Sequence, residues 1–260
     1  MNALLKSQTR YSPEEWQTRM DLAACYRLVA YYGLTDLVSN HISARVSGTH
    51  GELLLNPFGM MYEEITASSL IRIDFAGNIL ENPNLDYSIN LAGYIIHSAI
   101  HEARPDVGCI VHTHTVAGVA LSALKCGILP ISQASMRFAK VAYHDYEGVA
   151  FEPGEKDRLA TDLGDCEVMV LRNHGLIACG GGIPQAFNNI FRLEKICQTQ
   201  LMAMACNSEI ISPSAEVVQK SNAQYAANPS ALGKKPTQFG VMEWPAMLRM
   251  LDRRDPSYRE

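Results

Sequence analysis

The sequence lacks long apolar stretches, blocks of basic residues and paired-cysteine motifs. Its apolar runs stay well short of the roughly 18 residues that a membrane-spanning helix needs. The formal net charge is −5, so neither nucleic acid nor a membrane is an expected partner. The seven cysteines form no C-x-x-C pair and most lie in apolar segments, which indicates free thiols in a reducing compartment. The first ten residues lack the apolar core of a signal peptide, and we therefore expect a cytoplasmic location.

What the sequence does contain is a regular interleaving of short strands and helices. Ser12-Pro13-Glu14-Glu15 is a capping box with proline at the first helical position, and Gly33 provides the stop. Further apolar patterns predict helices over residues 88–103, 115–125, 154–163 and 184–206, and strands over 42–46, 107–111, 168–171 and 176–179. This pattern favours one central sheet with helices on both faces.

The C-terminal fifth of the chain differs in composition. Residues 208–240 are rich in polar residues and proline, which predicts a linker with a short helix near 216–227. Residues 241–252 recover a helical apolar pattern. We therefore divide the chain into a domain over 1–207, a polar linker over 208–240, and a C-terminal helix and tail over 241–260. The apolar face of that helix is expected to dock on a neighbouring subunit or on the parent domain.

The strongest chemical signal is His112-Thr113-His114, which follows the apolar run 107–111. Residues i and i+2 of a strand point to the same face, so these two imidazoles lie side by side. His174 follows a second apolar run, 168–171, at a turn before a glycine. Three neutral imidazoles with an open position are typical of catalytic zinc or a related divalent metal. The alternative is that the histidines serve packing or the surface.

Two other sets of histidines have weaker signals. His97 and His101 are spaced i, i+4, but Ser98 occupies the position where a zincin helix has glutamate. We therefore interpret them as surface or interhelix residues. His41 either lines a loop pocket or is packed and hydrogen-bonded.

Several of these segments resemble the class II aldolase/adducin family. The resemblance lies in residues 104–114 and 171–176, together with 56–59 and 64–70, and it covers about residues 16–206. Residues 125–132, 141–146 and 248–252 also resemble the head domain of adducin, which is typical of an adducin-head-like bacterial branch. The resemblance implies an α/β fold, a three-layer α/β/α sandwich with a mostly antiparallel central sheet. It also implies a homotetramer with sites at subunit interfaces, and a Zn²⁺ ion held by three histidines that match His112, His114 and His174.

The departures from this family concern its acid/base and phosphate-binding residues. The family's Ser-Ser-Glu triplet corresponds to Leu91, Ala92 and Gly93 here, so the acid/base carboxylate and two phosphate donors are missing. A phosphorylated sugar is therefore not the expected substrate. Restoring the acid with Gly93→Glu is expected to raise aldolase activity slightly.

Four residues remain as candidates for substrate binding and proton transfer. Asn40 and Gly59 match family positions at the phosphate site and could contact a smaller anion, or they could serve a turn and the backbone geometry. Tyr143 and His144 are the candidate catalytic side chains, because a histidine between a phenol and a carboxylate can act as an oriented acid or base. A water on the metal is the alternative proton donor, and a satisfied strand end is the structural alternative.

The function that these residues favour is a divalent-metal-dependent lyase. It would cleave or decarboxylate a small non-phosphorylated oxo, hydroxy or aromatic acid, with zinc as the expected metal and iron or manganese as alternatives. Two other functions stay open: a non-catalytic adducin-like scaffold of the actin-binding type, and a non-haem iron oxygenase on the same three histidines. The expected partners are a small-molecule substrate and further copies of the chain in a homotetramer.

Overall fold

The computed structural model of the chain describes residues 10–138, 140–148, 154–227 and 238–260. Its centre is an eight-stranded sheet in the order β4-β3-β2-β1-β5-β8-β7-β6. The strands are β1 (His41–Arg45), β2 (Glu52–Leu55), β3 (Ile71–Asp74), β4 (Ile79–Glu81), β5 (Cys109–Thr113), β6 (Ala142–His144), β7 (Val168–Leu171) and β8 (Gly175–Gly180). Neighbouring strands are antiparallel except for the parallel pair β6 and β7. The expected mostly antiparallel sheet is confirmed.

Helices cover both faces of this sheet. They are α1 (Pro13–Tyr31), α2 (Leu91–Ala103), α3 (Val116–Ser122), α4 (Glu155–Leu163), α5 (Ile183–Ala205), α6 (Ala215–Ala227) and α7 (Trp244–Arg254). The core of α1, α3 and α5 includes Val111 and Leu176 of the sheet. The core of α2 and α4 includes the adjacent Ile110 and Ile177, which point the other way. The predicted three-layer α/β/α sandwich is therefore confirmed.

The first helix shows how local sequence sets these elements. The Ser12 hydroxyl accepts a hydrogen bond from the Glu15 amide at 3.1 Å, and Pro13 occupies the first turn. Gly33, with φ of 67°, follows the last turn in the left-handed region. Leu22 and Leu28 are fully buried against the sheet. Each such side chain contributes roughly 1.5–3 kcal/mol to stability.

The pairing of β1 with β5 determines which residues share the α2 face of the sheet. His41 lies opposite His112 in the antiparallel register. Ile42 points into the core of α1, so its neighbours His41 and Ser43 point towards α2. This register places histidines of two strands beneath one helix.

The C-terminal helix docks on the parent domain. Trp244 is buried in the same core as α1, and its indole nitrogen donates to Asp21 Oδ1 at 2.8 Å. Arg27 of α1 pairs with Asp255 at 2.9 Å. In contrast, α6 has no buried residue among those described, and the proposed three-part division of the chain remains a prediction. Within the described ranges, none of the helices combines the length and apolarity of a membrane span.

Candidate metal centre and its cavity

Three imidazoles converge where β5 ends and β7 turns into β8. The Nε2 atom of His114 lies 2.7 Å from that of His112 and 3.0 Å from that of His174. One ligand atom from each residue lies within 4.8 Å of the others. The turn is tight: Asn173 adopts φ of 56°, and a Cβ at Gly175 would lie 2.4 Å from the Thr113 carbonyl. Because Gly175 has no side chain, the turn can lie close to the end of β5, and His174 is brought next to His114.

The outer nitrogen of two of these rings is already engaged. His112 Nδ1 donates to the Leu176 carbonyl at 2.9 Å, and His114 Nδ1 donates to Asp36 Oδ2 at 3.1 Å. Each of these hydrogen bonds keeps the proton on Nδ1 and leaves a lone pair on Nε2. Two lone pairs that face each other at 2.7 Å repel, and a cation between them removes the repulsion. The donor set therefore fits a divalent metal.

Burial keeps the imidazoles of His112 and His174 in their neutral form. Desolvation, with the neighbouring His41 and His114, holds the pKa of His112 well below its ordinary value. Desolvation and then His114 lower the pKa of His174 to about 4. Neutral imidazole is the form that binds metal, so these two ligands need no deprotonation near neutral pH.

Sequence reasoning missed Asp36, the carboxylate that orients His114. The Asn40 side chain is buried and accepts from the Asp36 amide at 2.6 Å, while its amide group donates to the His112 carbonyl at 3.3 Å. Asn40 thus holds the loop that carries Asp36. Gly59 has φ of 112°, and the Tyr87 ring lies 3.1 Å from the position of a Cβ there. Contact of Asn40 or Gly59 with substrate stays a prediction, and neither residue lines the cavity described next.

A cavity of about 260 Å³ opens beside the three histidines. Its lining includes Ser39, His41, Asn90, Ile96, His114, His144, Tyr146, Leu171 and His174. A larger groove of about 740 Å³ lies at the other end of β1, around Arg45 and Gly182. The smaller cavity is the candidate functional site, because the three convergent histidines lie beside it.

Comparison with known proteins agrees with this fold. The model of the Class II Aldolase and Adducin N-terminal domain matches residues 20–201. The chain belongs to the class II aldolase and adducin family. A Pseudomonas aeruginosa protein whose name places it provisionally among class 2 aldolases is 47% identical over 255 residues, covering 97% of this chain and 96% of that protein. Rat alpha-adducin is 38% identical over 248 residues, which cover 93% of this chain and 34% of adducin's length.

Two solved structures show the same family architecture. An aldolase II superfamily protein from Pseudomonas syringae is 44% identical with a TM-score of 0.90, covering 98% of this chain and 100% of that one. The L-fuculose 1-phosphate aldolase from Glaciozyma antarctica PI12 is 29% identical with a TM-score of 0.81, covering 95% and 93%.

In this class II aldolase family member, the two predicted catalytic side chains lie on opposite faces of β6. His144 lines the cavity, and its Nδ1 donates to Asp162 Oδ2 at 2.7 Å. The hydroxyl of Tyr143 accepts from the Ile128 amide at 2.9 Å, and its ring packs against the core of the other face. The structure therefore brings His144 to the cavity and leaves Tyr143 away from it. Tyr146, which is 55% exposed, supplies a phenol at the cavity instead.

A second set of histidines lies buried between α2 and β1. His41 Nδ1 lies 2.8 Å from His97 Nε2, and Ser43 Oγ lies 2.6 Å from His97 Nδ1. Ser43 Oγ also lies 2.9 Å from His101 Nε2, and His101 Nδ1 donates to the Val107 carbonyl at 3.2 Å. The expectation that His97 and His101 are surface or interhelix residues is wrong, since both are fully buried against the sheet. Both alternatives given for His41 apply, since it is hydrogen-bonded and also lines the cavity.

The His41 ring fills the space in which a side chain at position 93 would lie. A Cβ at this position would lie 2.4 Å from Cδ2 and 2.8 Å from Nε2 of the His41 ring. The ring cannot move freely, because His97 holds its other edge. His41 already fills the space that a glutamate side chain at position 93 needs, which argues against a gain of activity in Gly93→Glu. The expected rise in aldolase activity stays a prediction.

Proposed function

We propose that this chain is a divalent-metal-dependent lyase that acts on a small, non-phosphorylated oxo, hydroxy or aromatic acid. The observation that supports this function best is the convergence of three histidine Nε2 atoms at the wall of a cavity. A metal in such a site supplies Lewis-acid stabilisation of the negative charge that develops during aldol cleavage or decarboxylation. We expect zinc, with iron or manganese as alternatives, because imidazole ligands accept all three.

The protein's own part in the reaction begins with ligand orientation. His112, His114 and His174 would hold the ion. The Leu176 carbonyl and Asp36 fix the protons of the first two rings on Nδ1. These outer contacts raise the basicity of the ligands and keep the rings in place.

We assign proton transfer to His144, at Nε2. Asp162 binds the opposite nitrogen and so fixes the orientation of the ring in the cavity wall. An imidazole oriented by a carboxylate is an effective general acid or base. Tyr146 is the second candidate, since its phenol lies beside the His174 ring, with ring centres 6.5 Å apart.

We expect a substrate without a phosphate group because of the residues at the start of α2. Leu91 is 55% exposed there, and neither it nor Gly93 offers a hydroxyl or a carboxylate. Similarity to an L-fuculose 1-phosphate aldolase favours a phosphorylated sugar as the competing substrate. We retain the non-phosphorylated acid, because a phosphate needs several convergent donors.

Metal analysis of protein purified without chelator, followed by a substrate panel, tests this function. We expect one metal per chain and turnover of at least one small acid. His144→Ala is expected to lose most of that turnover while keeping its metal, whereas Tyr143→Phe serves as a control from the same strand and retains both. Full activity of His144→Ala would contradict its role in proton transfer. A metal-free protein without turnover would favour the adducin-like scaffold.

Different observations favour the two alternative functions, the scaffold and the oxygenase. The 38% identity with alpha-adducin favours a scaffold, although the match covers a third of that protein's length. The same three imidazoles would also hold Fe²⁺ for an oxygenase, and oxygen consumption with a 2-oxo acid would reveal it. Assembly into a homotetramer remains part of the proposal.

A further inference from the structure

A chain of hydrogen bonds connects the Val107 carbonyl with the cavity. Its donor and acceptor roles can be assigned in only one way. The Val107 carbonyl can only accept, so His101 carries its proton on Nδ1 and its Nε2 accepts from Ser43. The Ser43 oxygen then accepts from His97 Nδ1, and His97 Nε2 accepts from His41 Nδ1. The neutral rings can satisfy every contact only in this direction. His41 therefore has its proton on Nδ1 and a lone pair on Nε2.

That lone pair belongs to a ring of the cavity wall. His41 lines the cavity together with His114 and His174, and its ring centre lies 4.7 Å from that of His112. In the described part of the chain, Nε2 of His41 has no hydrogen-bond partner. Gly93 leaves the space that the ring occupies. The chain thus presents, next to the candidate metal ligands, an acceptor that the protein itself leaves unused.

We propose that His41 Nε2 accepts a hydrogen bond from a hydroxyl group of the substrate, and that the cavity is therefore selective for a hydroxy acid. This inference rests on the proposed function of the cavity and narrows its substrate class. An oxo or aromatic acid without a hydroxyl would cover the lone pair and leave it unpaired, which weakens binding by about tenfold or more. His97, Ser43 and His101 are positioning residues, since they act through His41.

Nuclear magnetic resonance of the imidazole nitrogens tests the direction of the chain. Long-range ¹H–¹⁵N spectra are expected to show His41, His97 and His101 with protonated Nδ1 and unprotonated Nε2. In Ser43→Ala, His97 loses the acceptor of its proton, so His41 is expected to populate the Nε2-protonated form. Ser43→Thr keeps the hydroxyl and should restore the wild-type pattern. A proton on Nε2 of His41 in the wild-type protein would overturn the inference without need of any variant.

Calorimetric titration with glycolate and acetate tests the selectivity, since the two acids differ by one hydroxyl. His41→Asn keeps a donor near the former Nδ1 position and removes the acceptor at the former Nε2 position, which the shorter asparagine side chain does not reach. The matched control is His50→Asn, the same change at an exposed histidine. We expect the preference for glycolate over acetate to fall about tenfold in His41→Asn and to persist in the control. An unchanged preference in His41→Asn would overturn the inference.

The titration is carried out on zinc-loaded and on metal-free protein. Failure to bind zinc would contradict the proposed function, whereas the glycolate preference of the metal-free protein still tests the acceptor. Loss of the preference in both variants alike would also count against a specific role of His41.

Discussion

Gly93→Ala tests whether Gly93 and His41 share one volume. The new Cβ would lie 2.4 Å from the His41 ring, and ordinary contact begins at 3.4 Å, so the ring must move by about 1 Å. Overpacking costs about 1–3 kcal/mol, and breaking the buried His41–His97 bond costs about 1–3 kcal/mol more. Replacing glycine by alanine in a helix returns up to about 1 kcal/mol. These terms give a net loss of about 1–6 kcal/mol in the free energy of unfolding.

Urea denaturation followed by circular dichroism measures this loss, and a double-mutant cycle isolates its cause. In a His41→Ala background the space is open, so Gly93→Ala is expected to be neutral or to stabilise by a few tenths to about 1 kcal/mol. The destabilisation by Gly93→Ala therefore disappears or reverses when position 41 is alanine. An equal cost in both backgrounds, or no cost in the wild type, would refute the shared volume.

Four further outcomes are expected. The double variant His112→Ala/His114→Ala should stay folded and lose its metal, as measured by mass spectrometry; unchanged stoichiometry would place the metal elsewhere. Turnover of L-fuculose 1-phosphate should be negligible in a coupled assay, and efficient turnover would contradict the proposed substrate class. Burial lowers the pKa of His101 to about 3. The unfolded state therefore binds more protons below pH 6.5, and unfolding free energy should fall by about 2 kcal/mol for this residue between pH 7 and pH 5. His101→Gln should flatten that fall in urea titrations, unlike His50→Gln. Light scattering should show a tetramer, and a stable monomer at micromolar concentration would contradict it.

Local periodicity correctly predicted that His112 and His114 lie side by side, and the same periodicity carried further information that was not used. Strand alternation placed His112 and His114 on one face, and the structure agrees. The same rule separates Tyr143 from His144, so their pairing as catalytic candidates ignored a signal that was present. Helix α2 begins at Leu91 because Asn90 accepts from the Gly93 amide, three residues later than the apolar pattern suggested.

Other parts of the site depend on long-range pairing that no local pattern contains. The spacing of His97 and His101 shows that they share a helix face, but not which strand lies beneath it. The register of β1 on β5 brings Ser43 under that face. Likewise, Asp36 reaches His114 from 78 positions away in the sequence. Such contacts follow from the docking of elements, which a single sequence does not reveal.

The absence of a carboxylate at position 93 does not by itself indicate a scaffold. Buried polar groups cost free energy unless every one is paired, and an apolar core would avoid this cost. This chain nevertheless buries His97, Ser43 and His101 completely and pairs them in a single direction. At its cavity end this chain of hydrogen bonds leaves His41 Nε2 without a partner among the described residues, beside the three candidate metal ligands. A scaffold has no physical need for either feature, whereas an enzyme that binds a hydroxyl group next to a metal needs both.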